Sequence, residues 1–488
     1  MKCSSLGLIT LAGALLLGAG SRVAHAATLT VTTLSDSGRG SLRAAIDSAN
    51  RTPDADTIVF AARLRGTLGL KSPLPVLTGA LSIVGPGRER LNVRRAGQGR
   101  YRIFAISKTG AVSLIGLTLS NGFAQGANGQ PSGDGGGVYN EGALRMNDCA
   151  LVGNQSTGNG GAIFNSGAQL TLTNCQVVDN NCLVIKPEHA PANGGGGLCN
   201  NRNEAQILVT NCAFSRNACR YDGDGGAIKN ASRATVRIKR TNLTDNTATR
   251  DGGALDARAD VEYGGSFEIT ESLIANNTSP SSGAIDTAEY GGQIILTNCT
   301  VSGNTATDKK DGVGGIISRW GGVELKNCTI VGNVGSKCGG IVCSDYSVIS
   351  GCIIAGNLLP PRAPGTDIYF WESEPVQMGD PIPRTRSHPS KGSNLIGQSD
   401  ATTLAYFDQP SDHCKVSLAA LKLGPLSDNG GPTKTYALLA GSLAIGTGSP
   451  SKNNTLTDQR GVLRSQNNNG TSDIGAFQTT KASAKTKK

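Results

Sequence analysis

The chain has few aromatic residues: 9 Phe, 9 Tyr and 2 Trp among 488 residues. With an ordinary apolar fraction and abundant glycine, this disfavours a helical bundle. Histidine is as scarce, and His189, His388 and His413 stand isolated. A histidine-based site is therefore poorly supported, and no Gly-x-Ser-x-Gly turn or Ser/His/Asp arrangement appears. CxxC pairs and Cys/His spacings are missing too, so no spacing supports a zinc site. After the N-terminus no apolar run approaches the ~18 residues that a membrane-spanning helix needs. The formal charge is +10, yet the basic residues are scattered rather than interleaved with aromatics, so no nucleic-acid partner is indicated.

Glycine is what the chain has in excess, 67 residues of it, and that suits a fold of many turns and thin strands. Lys2, an apolar run from Leu6 to Leu17 and Ala24-His25-Ala26 form the three zones of a secretory signal peptide. We place cleavage after Ala26 and expect an exported protein, extracellular, at the cell surface or periplasmic, whose mature chain has no transmembrane segment. Thr28 to Thr32 alternates like a strand. Leu42, Ala45, Ile46 and Ala49 recur at helical spacing behind Ser41, a suitable N-cap. A short helix-containing cap at the start of a repeat array would cover its first, otherwise open, turn.

The array itself is carried by pairs of residues five apart: Cys149/Asn154, Cys175/Asn180, Cys212/Asn217, Thr241/Asn246, Ser272/Asn277, Cys299/Asn304, Cys328/Asn333 and Cys352/Asn357. Between them lie Gly-rich apolar segments such as Gly160-Gly161-Ala162-Ile163, Gly225-Gly226-Ala227-Ile228 and Gly314-Gly315-Ile316-Ile317. A unit of this size cannot bury its apolar face alone, whereas stacked copies place each strand beside its own repeat. The expected fold is therefore all-β, a parallel β-helix, right-handed by the handedness of parallel crossovers. The expected organisation is a signal peptide at 1–26, an N-terminal cap at 27–65 and a β-helix at 66–357. A Pro-rich excursion follows at 358–394, then a terminal β segment closing the solenoid at 395–478 and a basic tail at 479–488.

The Gly-Gly-Ala-Ile segments and apolar-x-x-Asn repeats resemble the polymorphic outer-membrane protein type of β-helix. Gly40-Ser41-Leu42-Arg43-Ala44-Ala45-Ile46 is similar to the CSLREA-type N-terminal region, with Gly40 where that motif has Cys and Ala44 where it has Glu. Asp428-Asn429-Gly430-Gly431-Pro432 and Asp473-Ile474-Gly475-Ala476-Phe477 resemble the closing region of proteins grouped as choice-of-anchor Q. These resemblances imply an exported surface protein and name no activity.

Three groups of residues could carry chemistry. The repeated cysteines share one position with Thr241 and Ser272, which suits small inward side chains in a column. Cys182, Cys199, Cys219, Cys338, Cys343 and Cys414 lie off that position and are the better disulfide candidates. Next, the row after each Gly-Gly-apolar segment is Tyr139, Phe164, Cys199, Lys229, Asp256, Asp286, Ser318 and Cys343, expected to face outward by strand alternation. Lys229, Asp256 and Asp286 on consecutive turns would offer paired carboxylates with a counter-charge, the material for acid/base work on a glycosidic bond; the alternative is an exposed charge ladder. Lastly, Asp222, Asp224 and Asp251 precede the glycines and could hold Ca²⁺, or could mark Asp-Gly turns; Asp134 is placed similarly.

Taken together, the sequence favours a monomeric, adhesin-like binding protein whose partner is a polymeric glycan or cell-surface component. A polysaccharide lyase or glycoside hydrolase using Lys229, Asp256 and Asp286 is the alternative.

Overall fold

The computed structural model describes residues 26–126, 133–183, 194–258, 264–287, 292–319, 321–361, 363–371, 388–449, 455–464 and 471–480. Residues 1–25 of the expected signal peptide (1–26), much of the Pro-rich stretch (372–387) and most of the basic tail (481–488) lie outside it.

One turn from the middle shows how the repeat folds. The strand Leu255–Asp256 is followed by Ser266–Thr270, Leu273–Ala275 and Thr278–Ser279, each hydrogen-bonded in parallel to its copies in neighbouring turns. We call the resulting sheets C, A, B and D in that order. Sheets A and B have 12 strands each, C has 10 and D has 7, in a parallel β-solenoid of about 11 turns.

Left-handed residues make the corners. Glu271 (φ 52°) separates sheet A from B, and Asn276 (φ 58°) separates B from D. The residue after each corner, here Ser272 and Asn277, points inward and is buried, which is the origin of the five-residue spacing. Entry into sheet C uses Gly252 at φ 60°. At the next position a Cβ on Gly253 would stand 2.2 Å from the Gly283 carbonyl oxygen of the next turn, so the close backbone stacking there requires glycine.

The interior is apolar between these corners, with Phe267, Ile269, Ile274 and Leu255 all fully buried in this turn. The Asn positions form a column in which each side-chain amide donates to the next turn: Asn154 to Asn180 at 3.0 Å, Asn246 to Asn277 at 2.9 Å, Asn304 to Asn333 at 2.8 Å. The column ends on Asp367, whose Oδ1 accepts from Asn357 Nδ2 at 2.7 Å and from its backbone N–H at 2.9 Å. The cysteine column is likewise internal, with thiols donating to carbonyls as Cys299 does to Ile269 O at 3.4 Å.

The disulfides expected off that column are not formed. Cys182, Cys199, Cys219, Cys338, Cys343 and Cys414 form no disulfide, and all but Cys414 are buried among packed side chains. Cys182 and Cys219 do stand in register on adjacent turns.

The first turn is covered by the helix Leu42–Ala49, capped by Ser41 Oγ accepting from Ala44 N at 3.2 Å and burying Leu42, Ile46 and Ala49. At the far end Ile368–Trp371 supplies the last strand of sheet C. The helix Ala401–Tyr406 then sets Tyr406 against Phe370, centroids 4.6 Å apart.

From there the chain turns back along the outside of sheet B. It forms an antiparallel pair, Leu423–Ser427 with Thr435–Leu438, and is pinned to successive turns. Thr433 Oγ1 donates to Glu271 O at 3.2 Å, Thr300 Oγ1 to Gln459 at 2.7 Å, and Ala476 N to Thr329 Oγ1 at 3.0 Å. Ile474 and Phe477 join Val331 and Ile353 in a second apolar cluster beneath this segment.

Candidate functional site

The residues singled out in sheet C sit on its outer side, and that side is not wet. Lys229, Asp256 and Asp286 are each 0 % exposed, which overturns the expected solvent-facing row. The loops entering sheet C fold back over it, glycine backbone first: a Cβ at Gly194 would meet Lys229 Cβ at 3.0 Å, and one at Gly252 would meet Asp256 Cβ at 2.9 Å. Phe164 and Cys199 are buried under the same cover.

The register also corrects the row. Asp286 pairs with Ile317, and Ile317 with Val342, so Ser318 and Cys343 belong to the adjacent inward position. The covered row therefore runs from Tyr139 and Phe164, stacked at 5.4 Å, through the charged residues to Ile317 and Val342. These last two form an outer apolar cluster with Val313, Cys338, Tyr369 and Trp371.

In the middle of this row two groups that the sequence kept apart become one. Lys229 and Asp256 are in-register partners on adjacent turns, and the Lys229 ammonium contacts Asp256 Oδ1 while donating to Asp224 Oδ2 at 3.0 Å. Arg250 grips Asp224 through both oxygens, Nε to Oδ1 at 2.8 Å and Nη2 to Oδ2 at 2.6 Å. Arg258 closes the cluster, with Nη2 2.8 Å from Asp251 Oδ2 and its backbone N–H donating to Asp256 Oδ1 at 3.0 Å.

Asp224, Asp251 and Asp256 bring carboxylate oxygens within 4.8 Å of one another, a spacing suited to a hard cation. The ammonium and two guanidinium groups already pair with these carboxylates. Asp222 is largely exposed and only reaches Arg250 Nη1 at 3.7 Å. Asp286 accepts from Ser281 Oγ at 3.1 Å, and Asp134 lies turns away, accepting from Asn159 N at 2.6 Å.

Burial and charge compete at each group. Burial pushes the Asp256 carboxyl up to about 7 in spite of Lys229. Burial would lower the Lys229 ammonium, but Asp224 and Asp256 outweigh it and hold it above its ordinary range. Asp224 is likewise buried, yet Lys229 and Arg250 keep its carboxyl below the usual value. One oxygen stands out: Asp256 Oδ2 is buried and has no hydrogen-bond partner among the described residues.

Arg250 and Arg258 were not foreseen. Arg250 immediately precedes Asp251 in the loop one turn after Asp224, so aligning loops as well as strands could have found it.

A separate feature lies where the returning terminal segment meets sheet B. Two hollows of about 430 and 400 Å³ adjoin there, sharing Asn242 and Pro432. Arg88, Gln176 and Arg240 line the first, and Asn276 and Lys434 the second.

Residues 148–166 match the model of the Chlamydia polymorphic membrane protein repeat. With the parallel solenoid, this fits a polymorphic membrane protein-like β-helix. No curated protein matches the chain. Among solved structures the chain is similar to the PL6 family alginate lyase AlyGC, at 14% identity and a TM-score of 0.43, covering 92% of this chain and 58% of that one. A mutant of the same enzyme gives 14% identity, a TM-score of 0.43 and coverage of 93% and 59%. The chain thus spans under two thirds of the enzyme's length. Among the described residues no helix is long and apolar enough to cross a membrane.

Proposed function

We propose that the protein is an exported, adhesin-like β-helix that binds a glycan chain or comparable cell-surface polymer without cleaving it. The observation that carries this reading is the open trough between sheet B and the returning segment, where Gln176, Asn242 and Asn276 present amide groups and charges of both signs line the walls: Arg88 pairs with Asp148, Arg240 with Glu271, and Lys434 shares its hollow with Asp245 and Asp428. Primary amides both donate and accept, which suits sugar hydroxyls, and two adjoining hollows suit a linear polymer better than a compact ligand.

The alternative, a lyase or hydrolase working through Lys229, Asp256 and Asp286, requires a substrate to reach side chains that are fully buried. The same burial, with Lys229, Arg250 and Arg258 supplying the counter-charge, removes the need for calcium at Asp224 and Asp251.

Affinity electrophoresis through neutral and acidic polysaccharides, with parallel assays for reducing and unsaturated ends, tests this reading. Retardation by at least one polysaccharide without turnover is expected. Gln176→Ala combined with Lys434→Ala should weaken it roughly tenfold, about 1.4 kcal/mol. Release of new chain ends that Asp256→Asn abolishes would establish the enzyme instead.

A further inference from the structure

The buried cluster over sheet C has the parts for a covalent bond. Lys229 Nζ is a primary amine held in contact with a carboxylate oxygen, Oδ1 of Asp256, on the next turn. Lysine is rarely this buried, and an ammonium-carboxylate pair sealed from water has lost hydration that contact alone only partly replaces. Asp256 Oδ1 is held, by Lys229 and by the Arg258 backbone N–H at 3.0 Å, whereas Oδ2 is held by nothing among the described residues. A carboxyl with one oxygen fixed by donors and the other unengaged is arranged as an acyl group with a leaving oxygen. Asp224 Oδ2, 3.0 Å from the same nitrogen, is ionised at rest and is placed to take a proton transiently and return it.

We propose that Lys229 and Asp256 condense to an intramolecular amide that ties two consecutive turns together, with Asp224 as the proton relay. The ammonium passes one proton to Asp224, and the freed nitrogen lone pair forms the N–C bond to Asp256 Cγ. The negative charge that develops on Oδ1 is met by the Arg258 N–H. As the carbon's bond to Oδ2 breaks, that oxygen takes up the proton from Asp224 and a second proton from the nitrogen and leaves as water. One positive and one negative charge disappear, no oxidant is needed, and Asp224 is left ionised against Arg250. The product stands in a dry site, where hydrolysis has no ready water.

Denaturing mass measurement of the purified full chain, before and after prolonged incubation at neutral pH, tests this. The expected mass is one water below that of the sequence. Trypsin should then fail to cut after Lys229 and yield residues 221–233 joined to residues 251–258. Lys229→Arg keeps a cation in place and should restore the full mass. Asp256→Asn keeps the acyl carbon and should lose one ammonia where the wild type loses one water, a change that a merely ionic pair could not produce. A full-mass wild type with ordinary cleavage after Lys229 overturns the proposal. So does a water deficit confined to the Asp-Gly peptides without the joined pair, since ring closure at Asp222, Asp224 or Asp251 would lose the same mass.

Discussion

Two polar columns run along this solenoid on opposite sides of its wall. The inner one is made of a single residue type, and its links scarcely vary, from 3.0 Å at Asn154 to 2.8 Å at Asn304. Every amide there donates to its neighbour and accepts from the previous turn, so each added turn satisfies the last one. The outer row changes from aromatic to thiol to charge to aliphatic within a few turns, and its charges are compensated by neighbours from outside the row, Asp224 and two arginines among them. A neutral column can repeat without limit because its members are interchangeable. A buried charge must be balanced locally, and so in this row it is confined to one stretch.

The sharpest way to break this comparison is Lys229→Met, which leaves Asp224 and Asp256 buried without their shared cation. We expect a loss of about 3–5 kcal/mol, read as a lowered denaturation midpoint. A near-neutral result would mean that the arginines suffice and that the outer row is no more demanding than the inner one.

Next in size is a break in the neutral column. Asn277→Ala removes the acceptor of both Asn246 donors, at 2.9 Å each, and the donor to Leu243 O and Asn304. Leaving such groups buried and unpaired should cost about 2–3 kcal/mol, measured in the same unfolding experiment. Because neighbouring turns support one another, the loss should also promote local opening around that turn, visible as faster amide exchange in sheets B and D there. If Asn277→Ala costs more than Lys229→Met, the ranking of the two columns is reversed.

How far each column could be read from sequence follows from the same contrast. Asn154 through Asn357 were legible because one residue type recurs five positions after another, and the left-handed corner before it fixes its inward direction. The final acceptor was not, since Asp367 lies inside a Pro-rich stretch and takes the column's last position as a different residue. On the outer row, strand alternation placed Lys229, Asp256 and Asp286 on the correct side of sheet C but said nothing of what covers that side. The cover is made by glycine-rich loops, and loop paths are set by packing rather than by periodicity. Ser318 and Cys343 were misassigned because Gly314-Gly315-Ile316-Ile317 has two apolar residues after its glycines, and only backbone pairing shows which one points inward.

The smallest effect is expected where the two kinds of chemistry meet, at Asp367, the one carboxylate in the amide column. Burial pushes its carboxyl up to about 6, although the N–H groups of Asn357 and Gln398 favour the ionised form. An acid whose folded-state value lies above its unfolded one of about 3.9 binds its proton more tightly when folded. Its contribution to stability is therefore complete below about pH 4 and fades as the pH rises through about 6. Asp367→Asn keeps an oxygen for Asn357 and gives up the acceptor for Gln398 N at 2.6 Å, but it has no charge to bury. The wild type should thus lose melting temperature between about pH 4 and 7 relative to this variant, by a few degrees for an energy of about 1–3 kcal/mol. Taking the difference between the two proteins cancels other groups that titrate in this window, Asp256 among them. Parallel curves for wild type and variant would mean that the column ends on a charge that costs nothing to bury, and that the contrast between neutral and ionic columns does not hold at this end.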